Sequence, residues 1–195
     1  MKIETIIKDT QFLPITFILM LLVIFILPFY SFPEYSIFKN TTSHLGAQLT
    51  PNAWVMNTTF VLLGIATMID GWRFLRFFWV HKVILFVFGI SLIACAFFQH
   101  APIIKEMPID LQEDLWHARF ANLTGLSFTV FAIASSFLLN GWFQRTLAIL
   151  IGIIAVLLSV LMFEYEELMG VWQRLIFICS FGWMMFVFNR TKKFI

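Results

Sequence analysis

Six stretches of this chain are so apolar, and so nearly long enough to cross a bilayer, that a lipid environment is the only one that suits them. They run over residues 12–30, 54–69, 83–98, 121–139, 146–163 and 175–188. A helix needs about 20 apolar residues to cross the hydrocarbon core. Several stretches fall short when counted strictly, but amphipathic rings at their ends extend them into the interface. Trp54, Trp72, Trp79, Trp116, Trp142 and Trp172 all lie near such ends, and only Trp183 lies well inside a stretch. A spanning element must satisfy its own backbone, which selects helices over lone strands. The stretches also lack the alternation of barrel strands. The expected fold is all-α: a polytopic membrane protein, a bundle of six transmembrane helices, with residues 1–195 as one transmembrane domain. Composition agrees, since 61% of residues are hydrophobic and 12% charged, against about 25% charged in soluble domains. A soluble enzyme, a disordered chain and a disulfide scaffold are excluded.

Proline placement fits the helices. Pro14 sits near the start of the first, where a missing N–H is harmless, Pro28 and Pro33 mark its exit, and Pro51 precedes the second. Asn140 and Gly141 form a linker short enough to make the fourth and fifth helices a hairpin. The first stretch is too long for a signal-peptide core, and residues 26–30 make a poor cleavage site, so it reads as a retained helix. Cys95 and Cys179 lie inside apolar runs and read as small hydrophobes. The net charge of +2, with no basic cluster, suggests no nucleic-acid partner. Gly64, Gly89, Gly125, Gly152 and Gly182 lie within spans and are expected at close helix crossings.

Charge distributes unevenly between the two sides. The N-terminus, second and fourth loops and C-terminus carry nine bases (Lys2, Lys8, Arg73, Arg76, Lys82, Arg145, Arg190, Lys192, Lys193) and three acids (Glu4, Asp9, Asp70). The first, third and fifth loops carry four bases (Lys39, Lys105, Arg119, Arg174) and eight acids (Glu34, Glu106, Asp110, Glu113, Asp114, Glu164, Glu166, Glu167). The positive-inside rule then places both termini in the cytoplasm, in a cytoplasmic (inner) membrane.

That orientation gathers the titratable groups on the outer side, which also carries His44, His100 and His117, leaving His81 at an inner helix start. The first loop, residues 40–52, is small, polar and hydroxyl-rich, fit either to line a pocket or to supply turns and caps. In the third loop and fourth helix, Glu113 and Asp114 precede His117 by four and three residues and can share its face. A carboxylate there would orient the imidazole for acid/base work; the alternative is an acidic stretch at the interface. Arg119 and Arg174 near helix ends call for partner carboxylates, or for an anionic head group. Asn57, Thr58, Thr59, Asn122 and Thr124 lie below the outer cluster, either as a pocket's lower wall or as interhelical hydrogen bonds. Zinc on His44, His100 and His117 is conceivable, although no His-x-x-x-His or Glu-x-x-His pair supports it. Nothing suggests haem or a nucleotide. Ser43, His117 and Asp110 can be written as a triad, but no nucleophile-elbow sequence accompanies them.

Ser43-His44-Leu45-Gly46, followed by Pro51-Asn52-Ala53-Trp54-Val55-Met56-Asn57 and Gly64, resembles the opening of the bacterial integral-membrane family called domain of unknown function 998. Pro108, Ile109 and Asp110 followed by His117 are similar to that family's third loop. The resemblance implies a six-helix bundle without further domains and draws attention to Ser43, Gly46, Pro51, Asp110 and His117. It implies no activity. The leading functional expectation is a protein that binds or acts on a lipid or small amphiphile in an outward-facing polar pocket, with His44, Asn57, His100, Arg119 and Arg174 as binding residues. His117, Asp110 and Ser43 are the catalytic candidates if there is chemistry. The alternatives are a non-catalytic membrane partner, sensor or structural subunit, alone or as a homo-oligomer, and a metal-dependent hydrolase using the three histidines.

Overall fold

The computed structural model describes residues 10–192. Lys2, Glu4, Lys8, Asp9 and Lys193, which enter the charge count, lie outside the described residues. The described chain is all-helical. Helix α1 (Leu13–Ile26) runs into a 3-10 turn (Leu27–Tyr30), and α2 (Thr42–Leu45) is a single turn in the first loop. Then come α3 (Ala53–Phe74), α4 (Trp79–Phe97), α5 (Leu111–Ala134) with a 3-10 extension (Ser135–Phe137), α6 (Trp142–Glu164), a 3-10 turn (Glu166–Leu168) and α7 (Met169–Thr191). With their extensions, all but α2 are long and apolar enough to cross a membrane.

Five of the six spans begin earlier or end later than hydropathy alone marks them, and in one of them a side-chain cap carries the helix into polar sequence. The fourth span is the clearest case. It begins at Leu111, ten residues before the apolar stretch, because Asp110 accepts the backbone N–H groups of Gln112 and Glu113 at 2.9 and 3.1 Å. At α1 the cap comes from another helix: the buried Asp70 of α3 takes the Leu13 N–H through Oδ2 at 2.8 Å. Arg73, one turn on, donates to the Thr10 carbonyl at 3.0 Å. Gln11 donates to Asn189 at 3.1 Å, so the two ends of the described chain meet at one face of the bundle. The opposite face carries the loops with His44 and His100, together with the start of α5, and is called the histidine face below.

Helix α4 packs along α3 on one side and α5 on the other, α6 bridges α5 and α7, and α1 lies on α3 and touches α7. The α3–α4 crossing is set by two glycines facing one another. A Cβ on Gly64 would sit 2.7 Å from the Gly89 carbonyl oxygen, and one on Gly89 would sit 2.8 Å from that of Gly64. Gly152 likewise admits Ile133 of α5, whose Cγ1 would be 2.7 Å from an added Cβ. The expectation of close packing fails at Gly125 and Gly182, where an added Cβ would meet nothing within 4 Å. At Gly125 the reason is a cavity. Helix α6 is the least covered span; only Ala148, Gly152 and Ala155 of its residues are buried.

Candidate functional site

The histidine face is built on one glutamine. Gln48 is buried in the first loop, and its backbone N–H donates to the His100 carbonyl at 2.9 Å. Its side-chain amide donates to the carbonyls of Gln99 and Asp110 at 3.1 and 3.0 Å and accepts the Asp110 N–H at 2.8 Å. One side chain thereby pins the third loop to the first. Asn57 of α3 fixes the neighbouring turn by donating to the Gly46 carbonyl at 3.1 Å. A side chain on Gly46 would strike the Asn57 Oδ1 at 2.2 Å and push that amide off its bond to the Gly46 carbonyl. The segment also holds two residues in the left-handed region, Leu49 at φ 58° and Asn52 at φ 59°. Asn tolerates this conformation, whereas leucine occupies it at a cost.

These contacts bring the three histidine rings together. The centroids of His44 and His100 are 4.6 Å apart, and those of His100 and His117 are 5.2 Å apart. Each ring's tautomer follows from its Nδ1 partner. His44 Nδ1 accepts the Thr41 N–H at 3.0 Å, closing the turn of α2, so a neutral His44 carries its proton on Nε2. His100 Nδ1 faces the Ala101 carbonyl at 3.0 Å and Asp114 Oδ1 at 3.3 Å, and therefore donates. His117 Nδ1 faces the carbonyls of Cys95 and Phe98 at 3.0 and 2.8 Å and also donates, leaving Nε2 buried without a partner. Burial, with His100 and His117 adding to it, holds His44 down at about 3, against an ordinary imidazole value of 6.5; Asp114 opposes the shift only weakly.

Several expected partnerships take a different form. Asp110 caps α5 and does not orient His117, which two backbone carbonyls hold instead. Asp114 reaches His100 and the Ala101 N–H at 2.8 Å. No hydrogen bond joins Ser43, His117 and Asp110 among the described residues. For zinc, the free nitrogen of His44 is the protonated one, which leaves lone pairs only on His100 and His117. Among the described residues no group of three His, Cys, Asp or Glu side chains is placed to hold a metal ion.

Arg119 is exposed, with its guanidinium 4.8 Å from the Trp116 ring centroid. Arg174 is buried, yet it has no carboxylate partner. It donates to the carbonyls of Ile37, Asn40 and Gly170 at 2.8, 3.1 and 2.9 Å and to the Tyr35 hydroxyl at 2.7 Å. Tyr35 passes a hydrogen bond on to the Thr41 carbonyl at 2.9 Å. Burial pushes the Tyr35 phenol above its ordinary value despite the pull of Arg174. Gly170 makes room for this arrangement, since the Ile37 and Asn40 carbonyls lie 2.3 and 2.4 Å from where its Cβ would be. The partner carboxylate expected for Arg174 is not found among the described residues; Glu167, seven residues earlier, pairs with Lys39 at the surface.

Beside this knot lies a cavity of about 360 Å³ bounded by α3, α4, α5, α6 and α7. Its body is apolar, from Phe60, Phe88, Phe128 and Phe177 to Val156 and Val160. Toward the histidine face it is lined by Ser43, Asn122, Thr124 and Gln173, with Ser159 and Ser180 deeper. Of the residues singled out from the sequence, Ser43, Cys95, Asn122, Thr124 and Gly125 reach it. The three histidines stand next to it, not in its wall. Gln48, Gln173, Tyr35 and Gly170 carry the face and have no distinguishing sequence signal; their roles exist only once distant segments meet.

The family described as "Protein of unknown function (DUF998)" matches residues 15–189, from α1 to the end of α7. The chain belongs to this family. The match spans all six membrane helices and both loops of the histidine knot, so that the DUF998 resemblance of the first loop extends across the bundle. No curated protein and no solved structure matches the chain.

Proposed function

We propose that this DUF998 protein binds a lipid or small amphiphile in the cavity between α5, α6 and α7. The observation that carries the reading is the cavity's division into an apolar body and a polar end beneath the histidine face. Small-molecule pockets are mostly apolar with a few placed polar groups, and run from about 300 to 1,000 Å³. Leu126 of α5 and Val156, Val160 and Phe163 of α6 line the cavity and are also exposed, which gives a chain a lateral way in from the bilayer. The split of Lys and Arg favours both termini in the cytoplasm and the histidine face outward.

Gly125 supplies the test, because a side chain there enters the cavity without striking protein. Native mass spectrometry of the protein in mild detergent should show a discrete bound amphiphile on the wild type and on Gly182→Leu. Gly125→Leu should lose it. An identical lipid profile on all three would sink the reading.

A further inference from the structure

We infer that the cavity's ligand is a single-chain amphiphile whose head is uncharged and accepts hydrogen bonds. This rests on the amphiphile reading above and specifies its chemistry. The cavity wall contains no acidic or basic side chain. The nearby cations are committed elsewhere: Arg174 to four backbone carbonyls and Tyr35, Arg119 to the Trp116 ring, Lys39 to Glu167. A phosphate or carboxylate seated here would lose water without gaining a counter-charge, which is costly at membrane depth.

Uncharged donors, by contrast, are idle. Thr124, Thr129 and Ser159 line the cavity, but each returns its hydroxyl to the carbonyl four residues back, at 2.8, 3.0 and 2.8 Å. Ser43 and Ser180 line it too, both buried, and neither hydroxyl has a protein partner among the described residues. Gln173 accepts both the backbone N–H and the hydroxyl of Thr42 on Oε1, at 2.6 Å each, so the amide nitrogen is left as a free donor. Ser180 lies two turns below Gln173, about 10 Å along the helix. The donors thus form one group at the polar end and a single hydroxyl deeper, matching a head with acceptors and a further acceptor along the chain. A volume of about 360 Å³ lies near the lower limit for ligand pockets. That is the scale of one chain, and a second chain would have to lie outside the cavity.

The experiment uses the full chain in amphipol and an environment-sensitive fluorescent alkyl probe. The probe is displaced by monoacylglycerol, by the fatty acid at pH 8, or by lysophosphatidate, all with the same acyl chain. Monoacylglycerol should displace it at concentrations about tenfold lower than either anion. Ser43→Ala and Ser180→Ala should each weaken monoacylglycerol roughly three- to tenfold, leave lysophosphatidate unchanged and leave the melting temperature unchanged. Equal or better displacement by the anions, or unaltered monoacylglycerol affinity in both serine variants, overturns the head-group inference and leaves the cavity reading standing. Failure of the probe to bind, or equal binding by Gly125→Leu, overturns the cavity reading itself.

Discussion

The two sides of this bundle treat the same residue types in opposite ways. On the side of α1, α3, α4 and the first loop, glycines are where helices touch and single side chains tie several backbone groups together. Gly64 and Gly89 oppose each other's carbonyls, and Gln48 and Arg174 serve several backbone groups each. Around the cavity between α5, α6 and α7, Gly125 faces open space, and Ser180, the Gln173 amide nitrogen and Ser43, which reaches in from the first loop, have no protein partner among the described residues. Helices crossed backbone to backbone on one side and a cavity lined by open donors on the other separate the part that holds the fold from the part that leaves room for something else.

The contrast is broken most severely at Arg174. Arg174→Met keeps the volume but strips a donor from the carbonyls of Ile24, Ile37, Asn40 and Gly170 and from Tyr35, at roughly 1–3 kcal/mol for each buried acceptor left unpaired. We expect a loss of more than about 3 kcal/mol in stability, read as a large drop in melting temperature in detergent, with the first loop released to proteolysis. If Arg174→Met melts like the wild type, the closed side is not closed by this residue. Ser180→Ala on the open side should leave melting unchanged.

Next in size is a matched pair of glycine substitutions. Gly64→Ala drives a Cβ against the Gly89 carbonyl and Ile93, and backbone cannot step aside, so a cost of about 1–3 kcal/mol is expected. Gly125→Ala meets nothing and removes a poor helix former, so it should gain up to about 1 kcal/mol. Thermal unfolding of the two variants side by side decides whether the two kinds of glycine are real; equal shifts would erase the distinction.

The histidine knot sits where the two sides join, and pH probes it. His44 is held at about 3 in the fold, below its ordinary 6.5, so the unfolded chain binds one more proton between these values. Its contribution is complete above pH 6.5 and is lost as pH falls toward 3, at up to about 1.4 kcal/mol per pH unit. Melting temperature should therefore decline as pH drops from 7 to 5. His44→Asn keeps an acceptor for the Thr41 N–H and should flatten that decline; an unchanged slope would assign the effect to other groups.

Much of the fold was legible in the sequence, because a bilayer demands long apolar helices and six of them show in the hydropathy. The first and third loops also gave up their histidines as a group, since His44, His100 and His117 share one face in any six-helix layout. Their partners were not legible. Glu113 and Asp114 both have the spacing to reach His117, and only the fold decides that Asp110 caps a helix while Asp114 turns to His100. The cavity was hidden for a similar reason: Gly125 and Gly64 look alike in sequence, and which of them faces a neighbour depends on where α6 diverges from α5.

The smallest expected effect concerns strain within the closed side. Leu49 occupies the left-handed region at φ 58° with its side chain exposed, next to Gln48 and its hydrogen bonds. An L-residue there costs roughly 1–2 kcal/mol, and Leu49→Gly removes that cost. Glycine also loses more freedom on folding, by roughly 0.5–1 kcal/mol, so the net gain should be under about 1 kcal/mol. Asn52→Gly, at the same φ, relieves little because asparagine tolerates the conformation, and it forfeits the hydrogen bond from Asn52 to the Tyr30 carbonyl at 2.9 Å. Leu49→Gly should thus melt slightly above the wild type and Asn52→Gly slightly below. A loss of stability in Leu49→Gly would mean that the Leu49 side chain contributes more than its backbone costs. The strain on the closed side would then be offset by contact at Leu49 itself, and not by the bonds of its neighbour Gln48.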